Sequence, residues 1–75
     1  MKKLTELKNG GYHKLVVIDK KAPLKVRRRL SELGFTSGQL LKVERKSLLG
    51  ETFLIEIRGT FLSVRKNLAQ FLIVE

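Results

Sequence analysis

"RRRLSELGFTSG", residues 27–38, decides how this chain folds. Val26, Leu30 and Leu33 recur at i, i+4 and i+7, the spacing of one helical stripe. Gly34 stands where such a helix would end in a left-handed cap, and Pro23 stands where it would begin, with a fixed φ suited to a first turn. The spacing therefore predicts a helix from Leu24 to Leu33. At about ten residues it is too short to hold by itself in water and needs a sheet to pack on. Gly38 then opens a run of alternating residues, so the stretch reads as a helix-to-strand corner.

The same stretch contains Arg27-Arg28-Arg29, which taken alone suggests a docking site for an acidic molecule. Helical geometry disperses the triplet. At about 100° per residue, Arg27 and Arg29 fall about 90° and 70° to either side of the apolar stripe, while Arg28 points almost straight out. Arg28 and Glu32, four residues apart, are placed to pair, for a few tenths of a kcal/mol. The flanking arginines can lay their aliphatic stems over the core edge. Leu24 falls on the outer face beside Arg28. Two readings of that leucine stay open: a protein-contact element framed by arginines, or a staple that fixes the helix start.

Outward from the corner the pattern is β. Asn9-Gly10-Gly11 is a turn signal, and Lys14 to Asp19 ("KLVVID") reads as a strand buried on both faces. In "QLLKVERK" Leu41 and Val43 take one face, Lys42 and Glu44 the other. Leu48-Leu49-Gly50-Glu51 breaks the pattern as a hairpin loop. "TFLIEIR" alternates again, with Phe53, Ile55 and Ile57 on one side. Gly59-Thr60 reads as a tight turn, "FLSV" as a short strand, Arg65 to Gln70 as a single helical turn and "FLIV" as a last strand. The expected fold is mainly β with one short helix, in the order β-α-β-β-β-β. Short strands around so small a core suggest a partly open barrel, which removes most exposed strand edges.

The chain has 75 residues and reads as one domain, residues 1–75. A core of this size leaves roughly 3–5 kcal/mol of net stability. There is no cysteine, which excludes disulfides and thiolate zinc sites. No segment approaches the roughly 20 apolar residues of a membrane span. Lys2 and Lys3 are followed by no apolar stretch, so no secretory signal is expected and the protein is expected to be soluble and cytoplasmic. Sixteen Lys and Arg against seven Asp and Glu give a formal charge of +9, which calls for an acidic partner without naming one.

Catalytic chemistry has no purchase here. The single histidine, His13, sits beside a turn and the seven carboxylates are scattered without metal-ligand or dyad spacing. The serines have no nucleophile context, and Gly34 to Gly38 lacks the lysine-serine end of a phosphate loop. No enzyme activity, cofactor or metal is expected. Among the aromatics, the phenylalanines read as core; only Tyr12 and Phe61 could sit on an exposed face to stack on bases.

Three blocks carry a resemblance: "LTELKNGGYHKLVVI", "RRRLSELGFTSGQLLKV" and "EIRGTFLSVRKNLAQFLIV". Together they run from Leu4 to Val74 and resemble the FeoA-type ferrous iron transport protein A family. The middle block is the most specific: Arg29-Leu30, three residues, Gly34, Phe35, two residues, Gly38. The closing block matches as "IEIRGTFLSVR". Two departures are visible: Ser37 stands where proline is common, and Ser63-Val64-Arg65 stands for alanine-leucine-arginine.

The resemblance implies an SH3-like barrel and an accessory role in bacterial ferrous iron uptake. It implies a cytoplasmic protein, recruited to the inner face of the membrane by a FeoB-like transporter through that transporter's cytoplasmic G-protein domain. The surface suggested for this contact combines Leu24, Arg27 and Arg28 with Leu48 and Leu49 of the hairpin loop. Those two loop leucines could instead tuck back over the barrel end or mediate self-association. The alternative function is a basic barrel that binds RNA or DNA through phosphate contacts. Gly34, Gly38 and Gly59 are expected to be structural turn and cap positions.

Overall fold

The computed structural model describes residues 1–75. Six strands and two helices follow in order: β1 (Lys2–Lys3), a 3-10 turn (Leu4–Glu6), β2 (Tyr12–Ile18), α1 (Leu24–Glu32), β3 (Leu40–Lys46), β4 (Thr52–Ile57), β5 (Thr60–Arg65), α2 (Lys66–Ala69) and β6 (Leu72–Val74). The strands form one antiparallel sheet in the order β1-β6-β2-β3-β4-β5. β2 joins its halves. Its first residues, Tyr12 to Lys14, pair with β3, and its last, Leu15 to Ile18, pair with β6 across a register shift. The sheet curls around its core, but the end strands β1 and β5 do not pair, so the barrel stays partly open.

The alternation in β3 and β4 sets the inner face. Leu41 pairs with Ile57 and Val43 with Ile55, and all four are buried, as is Phe53. They join Leu4, Leu7, Leu15, Leu30, Phe35, Val64, Ala69, Leu72 and Val74 in one core cluster of 14 residues. No buried side-chain nitrogen or oxygen lacks a partner. The core is therefore wholly apolar, and close packing rather than polar networks fixes the arrangement.

The helix-to-strand corner closes as a Schellman motif. Phe35 N–H donates to Leu30 C=O at 3.1 Å and Gly34 N–H to Ser31 C=O at 3.0 Å. Gly34 takes φ +104°, and an added Cβ there would run into the Arg58 guanidinium. Gly38 also has positive φ, and its N–H donates to Leu15 C=O at 2.7 Å, tying the corner to β2. Arg58 Nη2 donates to Gly34 C=O at 3.1 Å, so the β4–β5 turn is pinned to the end of α1.

Three sequence expectations are corrected. The tight turn is Arg58-Gly59, not Gly59-Thr60: both have positive φ, 53° and 76°, and Ile57 pairs directly with Thr60. That is the two-residue hairpin turn whose twist matches the flanking strands, and glycine supplies its second position. A sixth strand, β1, was not legible, because Lys2 and Lys3 carry no apolar alternation. β6 supplies their pairing, at Val74 and Ile73. β2 is not buried on both faces: Leu15 alone is fully buried, while Val17 is 39% exposed on an outer face that no second layer covers. Of the readings left open for the leucines of the β3–β4 loop, tucking back over the barrel end is the one that falls: Leu48 is 100% and Leu49 83% exposed.

Candidate partner-binding surface

The nine residues of α1 meet the barrel through Leu30, which is fully buried, with Val26 and Leu33 packed half-buried beside it. That docking sets where the other faces point. Leu24, Arg28 and Glu32 follow one another along one side of the helix, with Lys25 and Arg29 next to them. α2 runs nearby and contributes Leu68. Together these residues line an open groove of about 610 Å³ between the two helices. Leu24, 54% exposed, and half-buried Val26 and Leu68 give it an apolar floor; three cations and one carboxylate give it a basic rim.

The rim cations are available. The ion pairs of the chain are Lys14–Glu75, Lys42–Glu44 and Lys42–Glu56, so the expected Arg28–Glu32 pair does not form. Both side chains are solvated, and a contact worth a few tenths of a kcal/mol does not overcome the entropy of ordering them. Arg27 is exposed but lies outside the groove, while Arg29 lines it, on the side of α1 that faces Leu68 of α2. Leu48 and Leu49 also lie outside it, at the tip of the β3–β4 hairpin. The surface suggested from the sequence thus separates into a groove and a tip. Leu68 was missed because it sits in a one-turn helix whose place beside α1 follows only from the tertiary path of the chain.

The FeoA domain profile matches residues 2–75. The chain belongs to the FeoA family. That family is associated with ferrous iron transport. Solved FeoA structures superpose on it closely. The FeoA protein of Chlorobium tepidum is 37% identical, with TM-score 0.83, covering 97% of this chain and 68% of that one. The FeoA-like protein of Clostridium acetobutylicum is 31% identical, with TM-score 0.85, over 100% and 88%. The zinc-complexed FeoA of Stenotrophomonas maltophilia, described as a prokaryotic SH3 domain protein and a candidate ferrous iron transport activating factor, is 29% identical. Its TM-score is 0.74, over 96% and 87%. No curated protein sequence matches the chain. No helix of this FeoA domain is long and apolar enough to cross a membrane.

The outer face of the FeoA barrel carries a second constellation. Tyr12, Lys42, Glu56 and Phe61 stand side by side on β2, β3, β4 and β5. Tyr12 and Phe61 are 54% and 56% exposed, the two aromatics expected to reach solvent. Between them lie carboxylates. Tyr12 Oη donates to both Glu56 oxygens, at 3.0 and 2.9 Å. Lys42 Nζ stands 3.2 Å from Glu44, 3.4 Å from Glu56 and 5.1 Å from the Tyr12 ring centre. Negative charge at the middle of this face opposes a phosphate backbone, and Lys42 already occupies one side of the tyrosine ring.

This cluster has a titration signature. The hydrogen bond to Glu56, helped by partial desolvation, holds the Tyr12 hydroxyl above its ordinary value of 10.0. Lys42 is held above 10.5, first by its hydrogen bond to Glu44, against an opposing desolvation effect. Both folded values are raised, so the stabilisation is complete below the ordinary values and is lost as pH rises through the folded ones. Tyr12 is the one tyrosine and there is no tryptophan, so phenolate absorbance reports it alone. Its midpoint is expected above that of free tyrosine and to fall in Glu56→Ala. An unchanged midpoint in that variant would remove Glu56 as the cause.

Proposed function

We propose that this FeoA domain is an accessory protein of bacterial ferrous iron uptake, working at the cytoplasmic face of the membrane. It binds and modulates a FeoB-like transporter by seating part of its cytoplasmic G-protein domain in the α1–α2 groove. The observation that carries this reading is the composition of the groove. Its floor of Leu24, Val26 and Leu68 is apolar, and Lys25, Arg28 and Arg29 around it have no internal ion-pair partner. Such a groove fits an amphipathic segment with acidic flanks: leucine contacts supply affinity, and the rim charges supply orientation and encounter rate. Membership of the FeoA family supplies the transport context, and the activating role ascribed to the Stenotrophomonas maltophilia relative is in keeping with it.

The test is calorimetric titration of the transporter's isolated G domain with wild type, Leu24→Glu and Arg28→Glu. Both substituted side chains are exposed, so thermal melts should be unchanged while affinity falls by about tenfold or more for Leu24→Glu. Arg28→Glu should weaken binding and flatten its salt dependence. Wild-type affinity in both variants would exclude the groove.

A further inference from the structure

The β3–β4 hairpin tip is not explained by the groove. Leu48 and Leu49 are 100% and 83% exposed, adjacent, and at the apex of a convex turn. Such exposure is unusual for a pair of leucines on a polar surface. The turn is ordered all the same. Ser47 Oγ accepts the N–H groups of Glu51 and Thr52, each at 3.0 Å, and Gly50 N–H donates to Ser47 C=O at 2.9 Å. With its lone pairs so used, the Ser47 hydroxyl keeps its proton for an outside acceptor.

Cations gather at the base of the tip. Arg45 and Lys46 end β3, Arg65 pairs in register with Thr52, and Lys66 N–H donates to Glu51 C=O at 2.8 Å. None of the four side chains takes part in an ion pair. Glu51 is the one carboxylate within the turn; Glu44, further down β3, is held by Lys42. A shallow recess of about 250 Å³ lies at the base of the hairpin, lined by Arg45, Lys46, Ser47, Thr52, Leu54 and Ser63.

We propose that this tip docks on an anionic lipid bilayer, with Leu48 and Leu49 entering the interface and the basic collar meeting lipid phosphates. Shape selects the occupant. A convex, fully exposed pair of leucines is buried most readily by a surface that yields around it, as a bilayer does. Charge selects the lipid class, since each basic residue near an anionic surface strengthens attachment by about fivefold. The recess gathers arginine, lysine and hydroxyl donors of the kind that bind a headgroup phosphate. This inference is independent of the transporter reading, because vesicle partitioning is read with no transporter present.

The experiment is co-sedimentation with vesicles of phosphatidylglycerol and phosphatidylcholine in equal parts, and of phosphatidylcholine alone. Wild type should partition onto the anionic vesicles and far less onto the neutral ones. Leu48→Ser/Leu49→Ser should lower partitioning by about tenfold or more, the loss of two apolar side chains from the interface. Leu24→Glu, in the groove and away from the tip, leaves every Lys and Arg in place and serves as a control that should retain most of the vesicle binding. Because the chain has no tryptophan, Leu49→Trp adds a direct reporter, whose emission should shift to the blue on anionic vesicles. Failure of wild type to partition, equal partitioning of the double serine variant, or an unshifted Leu49→Trp would each overturn the proposal. So would loss of G-domain binding in the serine variant with vesicle binding intact, which would make the tip a protein contact.

Discussion

Leu30→Ala is expected to cost about 3 kcal/mol, within the range measured for truncating a buried leucine. Leu30 is the one fully buried residue of α1, so its removal leaves the helix attached by half-buried Val26 and Leu33. A chain of this length holds only roughly 3–5 kcal/mol in all, so the variant should sit at the edge of unfolding. For a domain of this size the loss corresponds to a fall in Tm of about 12–24 °C. Urea unfolding followed by circular dichroism measures it, and a loss below about 1 kcal/mol would show that α1 is not docked through this side chain. The groove depends on that docking, since most of its lining comes from α1. Leu30→Ala should therefore abolish partner binding by a route that Leu24→Glu does not share.

Gly34→Ala is expected to cost about 2–3 kcal/mol, from two separable sources. A β-carbon at φ +104° is strained wherever it points, and here it also displaces the Arg58 guanidinium from its bond to Gly34 C=O. Arg58→Ala by itself should cost about 1 kcal/mol, since the bond is exposed. Made in the Arg58→Ala background, Gly34→Ala should then cost only the backbone strain, about 1–2 kcal/mol. The double-mutant cycle reads the difference. Equal costs in both backgrounds would mean that the arginine gives way freely and the contact contributes nothing.

Gly34 and Arg58 also join two separate blocks of the sequence. The Gly34-Phe35 corner and the Arg58-Gly59 turn are distant in sequence, yet one hydrogen bond joins them. From the sequence the first reads as a helix cap and the second as a turn. Their contact was not legible, because side-chain reach across the barrel depends on the register of β4 with β5. The placement of Leu24 beside Arg28 was legible, since it needs only the helical angle. Which neighbouring arginine joins them was not: Arg29 lines the groove and Arg27 does not, because α2 lies on that side. The loop leucines were legible as a loop and as a candidate contact surface, but the choice between exposure and tucking back over the barrel end was not.

The sequence by itself determined what depends on near neighbours. The 3.6-residue stripe of α1, its glycine stop and the two-residue alternation of β3 and β4 are local rules, and each states which face of an element must be buried. Charge and the absence of cysteine likewise follow from composition. The tertiary structure alone decided what depends on distant partners. It recruited Lys2 and Lys3 as a sixth strand through β6, and it brought Leu68 beside α1. It also divided the suggested surface into a basic groove and a convex leucine tip. Strand pairing and groove formation join residues far apart in the chain, and their geometry is fixed only when the apolar faces have packed together.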